Sequence, residues 1–318
     1  MGLSKKGWLE YEVAEADAGL TVESIVREKL HVSGRMLQRL TRSKGVLLNR
    51  KSPFLKRVVK AGDKVAVRVQ DQPGQDASPQ QAAQRKQGKS VEAALPVEIL
   101  YEDEHLLVAN KPAGMMVHPV KQDQQGTLVH ALAEYLREKG EPDRVHPVHR
   151  LDKETSGAIL VGKTSYGHQL ADRLLRDGSL HREYLAVVCG RLEEANGTIS
   201  APIGRDPRHP TRRKVTERGE EAVTHYELEA FSADTSLVRV WLETGRTHQI
   251  RVHFRHIGHP LAGDGMYGGR RDLLRRQALH ASKLSFPHPI TGQEIVCEAP
   301  LPDDMNELIK REYNLANR

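Results

Sequence analysis

The chain is poor in cysteine, poor in aromatic residues and without long apolar runs. Two cysteines among 318 residues exclude a disulfide scaffold and fit a reducing cytosol. No run approaches the roughly 18 apolar residues of a membrane span, and no apolar signal core follows the start of the chain. We therefore expect a soluble cytoplasmic protein with no membrane partner.

The charged residues are unbalanced in favour of cations. Lysine and arginine number 48 against 42 aspartates and glutamates, which gives a formal net charge of +6. Such an excess favours an anionic partner, and nucleic acid and membrane surfaces are the obvious candidates. A basic protein that is merely soluble has the same balance.

A shift in composition divides the chain. Residues 71–94 are rich in glutamine and almost devoid of large apolar side chains, so they cannot bury enough surface to fold. We predict a flexible linker there, with an average reach of about 25 Å. It separates a small domain, residues 1–70, from a body, residues 95–318, and two domains suit a chain of this length.

The small domain has signals for two helices and a short sheet. Thr21 and Ser33 are suitable N-caps, and we expect the second helix to end at Gly45. Residues 46–48 and the alternating valines of residues 65–69 are typical of strands, and Gly62-Asp63 of a turn between them. These signals predict a small α/β domain.

Three arginines share one face of the second predicted helix. Arg35, Arg39 and Arg42 are spaced at i, i+4 and i+7, and such a row can neutralise several phosphates, although a solvated face has the same pattern. Residues 20–69 resemble the alpha-L RNA-binding domain of a small-subunit ribosomal protein and of many RNA-modifying enzymes. Asn49-Arg50 departs from the Asn-Gly of many members. The resemblance implies that the arginine row binds RNA.

The larger body contains more strands than helices. We predict strands at residues 97–101, 106–109, 158–161, 184–188 and 236–242, and a helix at residues 125–139. Because the connections vary in length, a mixed, largely antiparallel α+β body fits better than regular βαβ units.

Residues 149–157, with the sequence HRLDKETSG, carry the strongest chemical signal. Asp152 lies near Arg150, and a neighbouring cation favours an ionised carboxylate. The Thr-Ser-Gly triplet suits a tight turn into the next strand. An ionised, oriented carboxylate can act as a nucleophile or base, although an isolated aspartate is more often a turn or ion-pair residue.

Two further segments follow in the chain, HREYLA at residues 181–186 and GRTHQIRVH at residues 245–253. With residues 149–157 they resemble, in order, conserved blocks of the RluA/RluD-type pseudouridine synthases. Supporting blocks lie at residues 111–114, 117–119, 263–268 and 279–281, so the resemblance spans about residues 97–301. It implies a pseudouridine synthase fold. It also implies an enzyme that isomerises uridine to pseudouridine in RNA without a cofactor or metal.

The resemblance also implies roles for individual residues. Asp152 matches the catalytic aspartate, Arg251 the arginine that pairs with it, and Tyr184 the tyrosine that stacks on the target base. Arg150 matches the arginine that enters the RNA stack when the uridine flips out, which offsets part of the cost of unstacking. Taken alone, Tyr184 would suit a core strand and Arg251 an exposed strand face.

We expect further RNA contacts from His149, Arg182, Arg246, Arg212 and Arg213. The first three belong to the motif segments, and the last two to a basic stretch, residues 205–214, that is predicted to be a loop. Arg182 stands where many members carry lysine, and the two cations differ in hydrogen-bonding geometry.

Two other motifs suggest different chemistry. Residues 157–164, GAILVGKT, match the P-loop spelling, but a P-loop needs a flexible loop between its glycines, and Ala-Ile-Leu-Val predicts a strand. His253, His256 and His259 could suggest a metal site, but no carboxylate accompanies them, so we expect core or RNA-facing histidines. The sequence thus predicts neither a nucleotide nor a metal site.

The sequence favours an RNA pseudouridine synthase that acts as a monomer. The resemblance of the small domain to the alpha-L domain implies ribosomal RNA as the partner, and transfer RNA is the alternative. The second hypothesis is a non-catalytic RNA-binding or ribosome-assembly factor with the same fold. The joint presence of Asp152, Tyr184 and Arg251 favours the enzyme, because a pure binder has no need of all three.

Overall fold

The computed structural model describes residues 2–5, 7–71, 97–121 and 124–313. A small sheet organises the first part of the chain, and a large sheet organises the rest. The predicted linker, residues 71–94, lies outside the described residues except for Asp71. No helix in the described part is long and apolar enough to cross a membrane.

The N-terminal module, residues 2–71, combines a four-stranded sheet with two short helices. Its strands are β1 (Gly2–Lys5), β2 (Trp8–Glu12), β3 (Val46–Leu48) and β4 (Lys64–Arg68). They pair antiparallel in the order β1-β2-β4-β3. Helix α1 (Val22–Ser24) continues as a π-helical turn (Ile25–Lys29), and α2 (Gly34–Arg42) follows. Their apolar side chains form one buried cluster.

The predicted N-caps of both helices are confirmed. The Ser24 amide donates a hydrogen bond to Thr21 Oγ1 (3.1 Å), and the Met36 amide donates to Ser33 Oγ (3.3 Å). Each cap satisfies a backbone donor that has no partner within its helix.

The end of α2 differs from the prediction. Lys44, rather than Gly45, takes the left-handed conformation after the helix, with a φ of 52°. Gly45 lies in a crowded position, where a Cβ would be 2.8 Å from Leu40 Cδ2. The sequence therefore placed the left-handed residue that follows the helix one position too late.

Asn49 and Arg50 form a tight turn despite the absence of glycine. Both residues are left-handed, with φ of 50° and 68°, between the bridged residues Leu48 and Lys51. Asn49 tolerates this conformation, and its Oδ1 accepts from the Lys64 amide (2.9 Å). The turn typical of Asn-Gly thus forms here with arginine.

Ten strands of the body form one sheet. They are β5 (Glu98–Glu102), β6 (Leu106–Lys111), β7 (His146–Pro147), β8 (Ser156–Gly162), β9 (His181–Cys189), β10 (Asn196–Ser200), β13 (Val223–Phe231), β14 (Thr235–Leu242), β15 (Leu279–Pro287) and β16 (Glu294–Glu298). The order is β10-β13-β14-β9-β15-β8-β6-β5, with β16 beside β15 and β7 beside β8. Only the β15–β8 pair is parallel among these described strands, which confirms the mixed, largely antiparallel α+β body.

Helices cover both faces of this sheet. Strand side chains alternate between the faces, so each face builds its own apolar layer. Helices α3 (Leu128–Glu138) and α5 (Gln249–His256) pack on one face. Helices α4 (Ser165–Arg176) and α6 (Asp303–Tyr313) pack on the other.

Two predictions for the body were wrong in detail. Helix α3 begins three residues later than predicted, because Gly126 is left-handed and Thr127 is extended. The predicted basic loop is a hairpin of β11 (Ile203–Arg205) and β12 (Arg213–Val215). A carboxylate stabilises its turn, since Asp206 Oδ1 accepts from the Arg208 amide (3.1 Å).

Candidate active site

The three motif segments meet at one cleft of about 530 Å³. The loop before β8, the start of β9 and the turn before α5 supply its walls. The predicted site residues that line this cleft are Asp152, Tyr184, Arg251, Arg150, His149, Arg182 and Arg246. The fold thus brings together side chains that are up to 102 positions apart in the chain, from His149 to Arg251.

The other predicted RNA contacts lie outside the cleft. Arg35, Arg39 and Arg42 belong to α2 of the N-terminal module. Arg212 lies in the β11–β12 hairpin, where its Nη2 is 2.6 Å from Asp206 Oδ2.

Arg251 joins two carboxylates at the base of the cleft. Its Nε and Nη2 donate to Asp264 Oδ2 (2.7 Å) and Oδ1 (3.0 Å), and its Nη1 donates to Asp152 Oδ2 (2.8 Å). Asp264 is 2% exposed and Arg251 6% exposed, whereas the Asp152 side chain is 22% exposed. The guanidinium therefore orients one accessible carboxylate by binding a buried one.

Arg251 lies on a helix, which corrects the exposed strand face considered from the sequence. His248 is left-handed, with a φ of 60°, and α5 begins at the next residue. The Gln249 side chain fixes this start, because its Oε1 accepts from the Arg246 amide (2.9 Å). The helix buries Arg251 against Asp264 and Tyr267.

The electrostatics of the cleft keep Arg251 charged and Tyr184 neutral. Burial lowers the pKa of Arg251, but the carboxylates of Asp264 and Asp152 more than offset this and hold the pKa above its usual range. Burial raises the pKa of Tyr184, so its phenol stays protonated.

Sequence reasoning missed three residues beside Asp152 and Arg251, namely Asp264, Tyr267 and His248. Tyr267 Oη accepts from the Arg213 amide (3.0 Å) and lies 2.8 Å from His248 Nδ1. His248 Nε2 lies 3.9 Å from Asp152 Oδ2. The Arg251 guanidinium also lies 4.9 Å from the Tyr267 ring centroid.

A signal for two of the missed residues was present. Asp264 and Tyr267 belong to the block of residues 263–268, in which a carboxylate stands between two glycines. Nothing in the sequence showed that Asp264 is buried. The block therefore supported the resemblance, but neither residue was assigned a role. His248 belongs to the third motif segment, in which roles were assigned only to Arg246 and Arg251.

His149 lines the cleft as a neutral ring. Its Nε2 accepts from the Leu160 amide (3.2 Å), and burial, together with the Arg182 charge, lowers its pKa to about 3. The proton therefore resides on Nδ1, which has no hydrogen-bond partner among the described residues. A buried donor without a partner in a cleft is available to a ligand.

We expect His149→Gln to weaken the acid sensitivity of the fold. The unfolded histidine takes up a proton near pH 6.5, whereas the folded one does so only near its lowered pKa of about 3. Stability is therefore fully present above pH 6.5 and is lost as the pH falls toward 3, by on the order of 4 kcal/mol for this group. Glutamine keeps an acceptor for Leu160 and does not titrate. Urea unfolding between pH 7 and 4 should give a shallower slope for the variant, and equal slopes would contradict the assignment.

The turn that carries Asp152 is placed slightly earlier than predicted. The Thr155 amide donates to the Asp152 carbonyl oxygen (3.1 Å), so residues 153 and 154, rather than Thr-Ser-Gly, form its corner. Ser156 and Gly157 already belong to β8. Lys111, which is buried, donates from its ammonium to the Lys153 carbonyl oxygen (3.1 Å).

Gly157 is needed for a close approach between strands. Its φ is +113°, and a Cβ would lie 2.2 Å from the carbonyl oxygen of Ala281 on β15. We expect Gly157→Ala to lower the free energy of unfolding by about 2–3 kcal/mol, from backbone strain and overlap together. Gly178→Ala is the matched control, because Gly178 also has a positive φ but has open space around it. Equal losses in the two variants, measured by urea unfolding, would contradict the steric argument.

The P-loop spelling does not correspond to a phosphate site. Residues 157–162 form a fully buried strand. The Lys163 ammonium is neutralised by Glu102 Oε1 (2.6 Å) and Glu141 Oε2 (2.7 Å). A P-loop lysine must reach phosphate, and this one is bound by two carboxylates.

His253 and His259 of the histidine cluster make hydrogen bonds within the fold. His253 is buried, with Nδ1 2.9 Å from Thr224 Oγ1 and Nε2 2.9 Å from the Ala201 carbonyl oxygen. His259 Nδ1 is 3.0 Å from the Cys189 carbonyl oxygen. Across the described ranges, no group of three or more His, Cys, Asp or Glu side chains is arranged to hold a metal ion.

Two family models and a relative of nearly the same length match this chain. Residues 105–256 match the family model of RNA pseudouridylate synthases, and residues 9–65 match that of the N-terminal domain of RluD ribosomal pseudouridine synthases. The chain is 40% identical over 315 residues to YhcT of Bacillus subtilis, named an uncharacterized RNA pseudouridine synthase, and the match covers 98% of this chain and 100% of that protein.

A second relative and a solved structure are also similar to this chain. Ribosomal large subunit pseudouridine synthase D of Nitrosomonas europaea is 46% identical over 245 residues, which cover 74% of this chain and 71% of that protein. The structure of human RNA pseudouridylate synthase domain containing 1 has a TM-score of 0.57 and 26% identity, over 69% of this chain and 90% of that one.

Proposed function

The chain belongs to the RNA pseudouridylate synthase family, and from this membership we propose that it converts specific uridines of ribosomal RNA to pseudouridine. It is an isomerase that acts on uridine within RNA. The observation that carries the residue-level proposal is the 2.8 Å pair of Arg251 and Asp152 at the base of an open cleft. The N-terminal match to RluD synthases, and relatives named for the large ribosomal subunit, support ribosomal RNA over transfer RNA.

The cleft is suited to a nucleotide that has left its helix. Under the proposal, Arg150 occupies the gap that the uridine leaves in the RNA, and Arg182 and Arg246 contact the flanking phosphates. The flipped base stacks on Tyr184, whose phenol stays protonated. A fitted pocket and an inserted side chain together offset the cost of unstacking the base.

Asp152 supplies the reactive carboxylate. Its Oδ2 is held by Arg251, whereas no described residue donates to its Oδ1, which leaves that oxygen for the substrate. In the reaction the bond between the sugar and the base nitrogen breaks, the base turns, and the sugar joins a base carbon. That carbon loses a proton and the nitrogen gains one, so the product is an isomer and no electrons are exchanged. The carboxylate assists by attack on the nucleoside or by stabilising the departing base.

The residues around Asp152 act as positioning groups. Asp264 fixes the Arg251 guanidinium, and Tyr267 contacts His248, whose Nε2 lies 3.9 Å from Asp152 Oδ2. A preorganised arrangement of this kind costs no reorganisation when charge develops. The proposal requires no cofactor or metal, and it describes a monomer that acts in the cytoplasm.

The N-terminal module supplies a second RNA contact. We propose that residues 1–70 form an RNA-binding domain and that residues 95–318 form the catalytic domain. Arg35, Arg39 and Arg42 on α2 bind phosphates of the same RNA. The basic β11–β12 hairpin, with Arg212 and Arg213, extends the contact on the catalytic side.

The direct test uses unmodified RNA. Purified protein is incubated with an in vitro transcript of large-subunit ribosomal RNA and, separately, with unmodified transfer RNA, and pseudouridines are mapped by chemical modification and reverse transcription. We expect conversion of one or a few positions in the ribosomal transcript. Conversion confined to transfer RNA would reassign the substrate. Binding without conversion in either RNA would favour a non-catalytic assembly factor.

A further inference from the structure

Helix α4 of the body supports the N-terminal module. Tyr166, which is 1% exposed, and Leu170 pack into the apolar cluster of the module's helices and sheet. Tyr166 Oη also donates to the Leu30 carbonyl oxygen (2.8 Å). The module and the body therefore share a core, in addition to their connection along the chain.

Polar contacts at the start of α2 fix its direction. Gln169 Nε2 donates to the His31 carbonyl oxygen (2.6 Å), and the Ser33 amide donates to Gln169 Oε1 (2.8 Å). Asp71 Oδ2 accepts from the amide (2.9 Å) and hydroxyl (3.1 Å) of Ser165 at the start of α4. Because Ser33 is the N-cap of α2, these contacts determine where the basic helix points.

A groove between α2 and α4 leads from the module toward the active site. Arg35, Arg39 and Arg42 line one wall, and Arg176 lines the other. The exposed Arg176 side chain also lines the cleft beside Arg150. One arginine thus belongs to both cavities, so the groove and the cleft adjoin.

The charge of the groove suits a polyanion. Its lining contains four arginines and one carboxylate, Asp172, whose Oδ2 is 2.8 Å from Arg176 Nη2. The cleft at one end takes an RNA uridine under the proposed function, so a strand that continues from that uridine meets the groove next. RNA rather than an acidic protein is the occupant that explains both cavities at once.

We propose that the groove and the cleft form one continuous RNA-binding track, and that the contact between α4 and the module sets the distance from the target uridine to a second contacted stretch of RNA. This inference rests on the function proposed above. Preorganisation of the two sites lets flanking RNA bind at little additional entropic cost. The enzyme then favours uridines whose flanking RNA is long enough to reach the module.

The test compares long and short RNAs. Nested transcripts of large-subunit ribosomal RNA are made around a uridine that the enzyme converts, and kcat/KM is measured for each. The length advantage is the ratio of kcat/KM for the longest transcript to that for the shortest. We expect a length advantage of at least tenfold for the wild-type protein. The double variant Arg35→Glu/Arg42→Glu should reduce it to below threefold.

Two further variants separate docking from charge. Tyr166→Phe/Gln169→Ala removes three hydrogen bonds between α4 and the module without a change in charge. We expect it to reduce the length advantage to below threefold and to leave turnover of the shortest transcript unchanged. Arg137→Glu, a single charge reversal on α3 away from groove and cleft, should keep the wild-type advantage.

The outcomes distinguish this inference from the proposed function. Conversion with no length advantage in the wild-type protein would overturn the track alone, and would be the result if the groove bound an acidic protein. A length advantage that survives in the Tyr166→Phe/Gln169→Ala variant would overturn the role of docking. Failure of the wild-type protein to convert any transcript would instead contradict the proposed function.

Discussion

Asp152→Asn is expected to lower the single-turnover rate of pseudouridine formation by at least about 1000-fold. Asparagine has the shape of aspartate and can still accept a hydrogen bond from Arg251, but it lacks the negative charge that attack or stabilisation requires. The buried Arg251 keeps its two hydrogen bonds to Asp264, so the change leaves no buried charge without a partner. RNA affinity should stay within about threefold, because base contacts and phosphate contacts are unchanged.

The measurement is a single-turnover assay with RNA binding determined in parallel. Asp234→Asn is the matched control, since Asp234 is exposed, lies outside the cleft and loses the same charge. The control should retain the wild-type rate. An Asp152→Asn rate within tenfold of wild type would show that the carboxylate does not take part in the chemistry.

Arg251→Met is expected to damage both stability and activity. The methionine leaves the buried Asp264 carboxylate without its two hydrogen bonds from Arg251. Removing one partner of a buried ion pair typically costs about 3–5 kcal/mol. Activity should fall by at least about 100-fold because Asp152 also loses the group that orients it. Urea unfolding and a rate assay at a temperature where the variant is folded measure the two losses.

A double variant separates these two effects. Arg251→Met/Asp264→Leu replaces the buried pair by apolar side chains, which is often neutral for stability. We expect it to recover most of the lost unfolding free energy but none of the lost activity. Arg251→Lys should stay inactive as well, since one ammonium cannot contact both carboxylates in the geometry of a guanidinium fork. Recovery of activity in the double variant would mean that Arg251 serves stability alone.

The sequence predicted the local features of this protein well. The caps at Thr21 and Ser33 and the strand at residues 158–161 depend on nearby residues, and the structure confirms them. The three motif segments could also be recognised one by one, because each carries its own chemical pattern. Local signals of this kind need no knowledge of tertiary contacts.

Features that depend on tertiary contacts could not be predicted. The sequence showed no reason to place Arg251 on a buried helix, since its burial depends on Asp264 and Tyr267 from a separate loop. Gly157 was taken for a turn residue, whereas its role comes from Ala281, 124 positions away. Tyr166 contacts the N-terminal module, from which it is separated along the chain by residues 71–94, a segment with no folding signal. Each case is a contact between distant segments that no local pattern records.

Docking of the module should limit which uridines are modified in the cell. An enzyme that contacts RNA at two linked sites should modify few positions, because most uridines lack flanking RNA at the required distance. A small, defined set of pseudouridines is therefore expected, in place of scattered modification.

The most direct measurement is a map of pseudouridines in ribosomal RNA from four strains: one with the wild-type gene, one with the gene deleted, and two in which the deletion is complemented by the wild-type gene or by the Asp152→Asn variant. We expect that a small set of pseudouridines in large-subunit ribosomal RNA disappears on deletion, returns with the wild-type gene and stays absent with Asp152→Asn. A set that is unchanged by deletion, or that is restored by Asp152→Asn, would contradict this expectation.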